Sequence, residues 1–202
     1  MGSEFLTYLQ LGLRHITDIR GYDHILFVTA LTVAYRTADW RRLLLLVTAF
    51  TLGHSITLAL ATLNLVHVPS TSVEAAIAAT IVVASLMAIV AAVGAPTGDG
   101  VGVSQRGQRL RYAMAAGFGL VHGLGFSTFL RSLLGGEESL ALPLFSFNLG
   151  LEVGQLGIVA AVLLLGLLAE RVFRLARRDW VLIVSGGIIA MGIVMLADRI
   201  GL

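Results

Sequence analysis

Four of the five histidines lie inside or at the edge of apolar segments, in the phrases Arg14-His15-Ile16-Thr17-Asp18, Gly21-Tyr22-Asp23-His24, Gly53-His54-Ser55 and Val121-His122-Gly123. A further phrase, Asn148-Leu149-Gly150-Leu151-Glu152-Val153-Gly154-Gln155, sets Asn148, Glu152 and Gln155 at i, i+4 and i+7, on one face of a helix. Imidazole nitrogen and carboxylate oxygen together suit Zn²⁺, Ni²⁺, Co²⁺, Cu²⁺ or Fe²⁺ better than Ca²⁺ or Mg²⁺. Ionisable groups at bilayer depth are costly, so they face a protein interior or a wet cavity and act there. These residues therefore point to a buried site for a divalent transition metal. His24, His54 and His122 would supply the imidazoles, and Asp23 or Glu152 the anionic ligand. Asn148, Gln155, Ser55 and Thr51 would fix the imidazole tautomers, with His15, Asp18 and Glu74 as further supporting groups.

Glu152 carries the most weight among the carboxylates. It is flanked by Leu151 and Val153, with no basic residue within a helical turn. An unpaired buried carboxylate is protonated or very costly, and a cation held by histidines removes that cost. Asp23 and Glu74 also suit helix starts, as a cap or dipole partner and within a capping box after Ser70-Thr71-Ser72. His67, beside Pro69, reads as a solvated loop residue.

The elements that position these groups are helices in a lipid bilayer. Hydrophobic residues make up 57% of the 202 positions and mean hydropathy is +0.90, values typical of polytopic membrane proteins. The absence of cysteine excludes disulfides, thiolate metal sites, Fe–S clusters and cysteine nucleophiles. All 14 basic residues are arginine. Membrane orientation explains that basic balance better than nucleic acid does. Apolar runs of the length that crosses a bilayer, roughly 20 residues, fall at about 22–37, 42–65, 73–94, 110–134, 141–169 and 180–200. The expected fold is an all-α bundle of six transmembrane helices, with an amphipathic interfacial stretch at 6–20 leading into the first. Met1-Gly2-Ser3-Glu4-Phe5 reads as a cloning scar, which leaves 6–202 as a single transmembrane domain and suggests a native extracytoplasmic part upstream.

Breaks at Arg36–Arg42, Val68-Pro69-Ser70, 94–107, Gly135-Gly136-Glu137-Glu138 and Arg171–Asp179 separate the runs. Arginines crowd the first, third and fifth loops, while the fourth sets Arg131 against Glu137 and Glu138. The positive-inside rule then puts both termini outside the cytoplasm, in a bacterial inner (plasma) membrane. With that orientation His54, 12 residues past Arg42, and His122, 11 past Arg111, lie at matched depth near the midplane. The inner halves hold almost nothing polar, so a site built from these groups opens outward. Glycines at 117, 119, 123 and 125, and at 150, 154 and 157, allow close helix contact, expected to bring His122 near Glu152. No strand precedes Gly119-x-x-x-Gly123, so it is not a dinucleotide fingerprint.

The phrases Gly21-x-Asp23-His24-x-Leu26-Phe27, Thr48-x-Phe50-Thr51-x-Gly53-His54-Ser55-x-Thr57-Leu58, Val73-Glu74, Phe118-Gly119-Leu120-x-His122-Gly123 and Phe147-Asn148-x-Gly150-x-Glu152-x-Gly154-Gln155 resemble those of the HupE/UreJ-type membrane proteins, in the second branch of that family. The resemblance implies a small polytopic protein associated with hydrogenase and urease maturation and a nickel or cobalt permease activity. Its implied partners are the bilayer, the metal ion, and an extracytoplasmic segment or metalloenzyme maturation system. Two other functions fit the residues themselves. One is an intramembrane metal-dependent hydrolase with Glu152 as general base; the other is a non-metal, proton-sensing histidine network. Metal transport or binding is favoured over hydrolysis.

Overall fold

A computed structural model describes residues 2–94, 105–134 and 139–201. The breaks read at Glu137, Glu138 and most of 94–107, and the Arg131 side chain, lie outside the described residues. Every regular element among those described is helical: α1 Gly2–Thr17, α2 Asp23–Thr32, a 3₁₀ turn Thr37–Asp39, α3 Trp40–Thr62, α4 Ser70–Val93, α5 Gln105–Gly125, α6 Ser127–Leu134, α7 Ala141–Arg171 and α8 Arg177–Ile200. Four helices are long and apolar enough to cross a membrane: α3 with its 3₁₀ turn, α4, α7 and α8.

The other two expected spans are interrupted. The run at 22–37 yields a helix of only 10 residues. A 10-residue helix has carbonyls at its C-terminus with no partner of their own, and here Arg177 supplies donors. Its Nη2 donates to the Val33 and Tyr35 carbonyls and its Nη1 to Glu170. The Tyr35 hydroxyl donates to Gln108 Oε1 at 3.1 Å, tying the same corner to α5. The run at 110–134 divides at Phe126, where the Ser127 hydroxyl donates back to the Leu124 carbonyl at 2.7 Å and the chain turns into α6.

The amphipathic stretch at 6–20 differs from expectation. As α1 it packs lengthwise on α7 and is not an isolated interfacial helix. Its buried face is Tyr8, Gly12 and Ile16, at helical spacing. At this contact backbone meets backbone. A Cβ on Gly12 would overlap the Phe147 carbonyl, and one on Gly150 the Leu9 carbonyl. The pairing of α3 with α5 is alike: a Cβ on Gly53 would overlap the Ala116 carbonyl, and one on Gly119 the Phe50 carbonyl. α5 is therefore held by α3 and α1 by α7, so the close glycine contact brings His122 beside the His54 turn and not beside Glu152. Glycine serves here because only a missing side chain lets two helix backbones touch.

The arginines at 36, 42, 171 and 177 share one end of the bundle, where Arg177 meets Tyr35 and Glu170. Asp23, Glu74 and Arg199 share the other, lining one cavity there. We expect Gly53→Ala to destabilise the fold by roughly 1–3 kcal/mol, the usual cost of overpacking, and to lower the thermal midpoint in detergent. Gly157→Ala meets open space and should leave that midpoint unchanged or slightly raised. Equal midpoints for the two variants would remove the glycine contact as the determinant of this pairing.

Candidate metal centre

Three imidazoles converge from three helices: His15 from the last turn of α1, His24 from the first turn of α2 and His54 from α3. Each offers a nitrogen, and the three nitrogens lie within 4.8 Å of one another. Nitrogens about 2.1 Å from a shared tetrahedral ion stand about 3.4 Å apart, so modest inward movement of the rings closes the set around one cation. The ring of His15 lies 4.6 Å from that of His24 and 6.1 Å from that of His54, with 6.3 Å between His24 and His54. His122 stands on the other side of His24, at 5.1 Å between ring centroids.

The hydrogen bonds around two of these rings assign the nitrogen each leaves free. The Thr80 hydroxyl donates to the Ile77 carbonyl at 2.7 Å, so its oxygen is left to accept from His122 Nε2–H at 2.9 Å. His122 Nδ1 then carries a lone pair, and it is buried without a partner. Asp23 Oδ1 accepts from His24 Nδ1–H at 3.1 Å, leaving the lone pair on Nε2, also buried without a partner. A carboxylate behind an imidazole is the usual arrangement for orienting a metal-binding histidine. His15 Nε2 is buried without a partner as well, and the buried ring nitrogens of His54 have the Asn148 side chain beside them. A buried polar atom left unpaired costs about 1–3 kcal/mol. Several such lone pairs aimed at one small volume fit a cation as the missing partner.

The surroundings are aromatic. Phe126 lies 3.9 Å from the His15 ring, Phe27 4.6 Å and Phe50 5.3 Å from His122, and Phe147 6.3 Å from His54. Such walls keep water and competing donors out of the site. Access is from the end opposite the arginine-rich one. A cavity of about 200 Å³ there is bounded by His15, Asp18, Asp23, His24, Glu74, His122 and Arg199 among others. Glu74 forms an ion pair with Arg199 across its mouth, and Asp18 accepts from the Arg20 backbone N–H at 2.9 Å.

The remaining sequence-derived residues are distributed along α3 and α7. Glu152 accepts from the Thr48 hydroxyl at 2.6 Å, and Gln155 Oε1 accepts from Thr51 at 2.8 Å. Ser55 donates to the Thr51 carbonyl within its own helix. Asn148 Nδ2 donates to the Leu144 carbonyl, while its Oδ1 is buried and unpaired. His15 belongs to the imidazole triad itself, closer to the centre than its sequence context suggested. Thr80 and Arg199 were not singled out from the sequence. Thr80 could have been noticed as a hydroxyl amid the apolar middle of α4, whereas nothing local marks Arg199.

Residues 1–199 match the family described as HupE / UreJ protein. The chain belongs to the HupE/UreJ family. Neither a curated protein nor a solved structure matches it. Within this HupE/UreJ chain the motif residues Asp23, His24, His54 and His122 thus gather at one buried place, with His15 added to them. We expect Asp23→Asn to weaken metal binding by 10–100-fold, the usual effect of losing the group that orients a metal-bound histidine. Titration calorimetry with the purified protein measures it, and an unchanged affinity would deny Asp23 that role.

Proposed function

We propose that this HupE/UreJ protein binds a divalent transition metal ion as cargo in an outward-facing intramembrane site and takes part in metal uptake or delivery. The observation that carries the reading is the triad of buried imidazoles from His15, His24 and His54, with nitrogens within 4.8 Å of one another. His122 lies alongside as a further lone-pair donor, and Asp23 offsets the cation's charge through His24. Imidazole-rich sites suit nickel, cobalt, zinc, copper and iron, with selection set by geometry and availability rather than the affinity order. The family's general association with nickel and cobalt makes these the first ions to try.

In this reading the four long helices are joined by two composite crossings, α1 with α2 and α5 with α6, making six. The arginine-rich end is cytoplasmic under the positive-inside rule, which puts both termini and the mouth at Glu74 and Arg199 on the extracytoplasmic side of a bacterial inner membrane. The hydrolase alternative would need a general base facing the metal. Glu152 is already bonded to Thr48, which favours binding and transfer of the ion over hydrolysis.

The test is elemental analysis of protein purified without chelators, followed by titration with Ni²⁺, Co²⁺ and Zn²⁺. We expect about one ion per chain for at least one metal, and at least a tenfold loss of affinity for each of His15→Ala, His24→Ala and His54→Ala. No binding of any first-row metal by folded protein would overturn the reading. Glu152→Gln keeps the Thr48 partner and removes the charge. A tenfold loss, about 1.4 kcal/mol, would make Glu152 a compensating anion of the site. A loss under twofold would leave that role to Asp23.

A further inference from the structure

The two glycine-mediated helix pairs are the same pair twice. Gly53 sits over Ala116 and Leu120, and Gly119 over Phe50 and His54; Gly150 sits over Leu9 and Leu13, and Gly12 over Phe147 and Leu151. Adding 107 to an α1 number gives its α5 counterpart, and adding 97 to an α3 number gives its α7 counterpart. Under that rule all four contacts coincide. A further contact obeys it too: Gly123 meets Thr57, and its counterpart Ile16 meets Gly154, the counterpart of Thr57. The sequence carries the same trace. Gly12-Leu13-x-His15 repeats as Gly119-Leu120-x-His122, and Phe50-x-Leu52-Gly53 as Phe147-x-Leu149-Gly150. His15 and His122 are counterparts on either side of His24.

The two halves run in opposite senses. Phe147 near the start of α7 meets His54 in the second half of α3, while Glu170 at the end of α7 meets Arg177 at the corner where α3 begins; α3 and α7 are antiparallel. Likewise α4 and α8 are antiparallel, since Glu74 pairs with Arg199 and Gly192 lies on Ala78 and Ile81. Their buried stripes match in spacing, Ala78-Ile81-Ser85 against Ser185-Ile188-Gly192. The packing of α2 on α1 and α7 is echoed by that of α6 on α5 and α3. Residues 2–93 and 105–200 therefore form an inverted repeat, with the histidines at its axis.

The echo is incomplete. α2 packs on α4 and α7 on α8, without α6 on α8 or α3 on α4 among the substantial contacts. One further difference bears on the site. α5 packs on α4, with His122 bonded to Thr80 and Gly125 against Ile77. The counterpart contact, α1 on α8, is not among the substantial helix contacts. A cavity lies there instead, between Arg20, Gly21, Tyr22 and Asp23 on one side and Val194, Met195, Asp198 and Arg199 on the other. Equivalent elements thus occupy two different packings, one closed and one open. Inverted repeats in carriers exchange such packings and expose a central site to each side in turn.

We propose that this chain is an alternating-access carrier whose two inverted halves exchange packings about the histidine site. The inference rests on that site holding the metal cargo. In the second state α1 closes on α8, sealing the outer mouth, and α5 separates from α4, opening the site inward. Mapping Gly125 and Ile77 onto the other half, with the α4 and α8 stripes aligned, pairs Asp18 with Val184.

The chain has no cysteine, so introduced thiols can be read cleanly. Ile77→Cys with Gly125→Cys reports the present packing, and Asp18→Cys with Val184→Cys the exchanged one. In proteoliposomes treated with a thiol oxidant, we expect both pairs to cross-link. Each link should cut Ni²⁺ or Co²⁺ entry at least tenfold, with recovery on reduction. Linking of the first pair but never of the second, in protein that binds metal, would overturn the exchange. Linking of both pairs without metal binding would uphold the exchange and discard the metal as its cargo. Should a pair fail to fold, spin labels at the exposed Ile19 and Val194 give a second measure: two distance populations support exchange and a single one overturns it.

Discussion

Contact of backbone with backbone between paired helices is the constraint on which the rest depends. Lipid offers no hydrophobic drive for helices to associate, so close van der Waals approach has to hold them. Gly53 with Gly119, and Gly12 with Gly150, permit that approach. Because the touching turns also carry His54 and His15, and His122 follows one turn after Gly119, the fit of the backbones sets the imidazole positions. A side chain at any of these glycines would separate the helices and the ligands together.

Much of this was legible in the sequence. Long apolar runs match α3, α4, α7 and α8 with nearly correct bounds, and the breaks at Arg36–Arg42, Val68-Pro69-Ser70 and Arg171–Asp179 fall at the turns between described helices. Residue type and depth marked Asp23, His24, His54, His122 and Glu152 as one set; the first four lie near one another, whereas Glu152 is bonded to Thr48. Three features were harder to read. The breaks after Thr32 and at Phe126 sit within apolar runs, because the distant Arg177 bonds the Val33 and Tyr35 carbonyls at the first and Ser127 bonds back to the Leu124 carbonyl at the second. α1 looked interfacial because Arg14 and Gln10 lie close to Tyr8, Gly12 and Ile16 in sequence, although those three form a buried face. Glu152 looked unpartnered because its partner, Thr48, lies on another helix. Sequence spacing reports which residues share a helix face; it does not report which helix that face meets.

The site and the fold also oppose each other energetically. Buried, unpaired imidazole nitrogens weaken a protein core, and the aromatic walls of Phe27, Phe50, Phe126 and Phe147 offer them no hydrogen bond. Thr80 and Asp23 each bond one ring nitrogen, of His122 and His24, and the opposite nitrogen of each ring is buried without a partner. On the proposed reading, the arrangement trades stability of the ion-free protein for imidazoles already gathered in one small volume. Binding of an ion would return that stability by mass action.

The shortness of α2 has an electrical consequence. Ten helical residues span about 15 Å, half of a typical hydrocarbon thickness. Under the proposed orientation, the histidines at the head of α2 would lie part-way across the membrane, between the outer mouth and the arginine-rich end. Each elementary charge moved through the full potential gains about 2.3 kcal/mol per 100 mV, and a divalent ion twice that. An ion held there would lie within the transmembrane field, so its binding would depend on voltage.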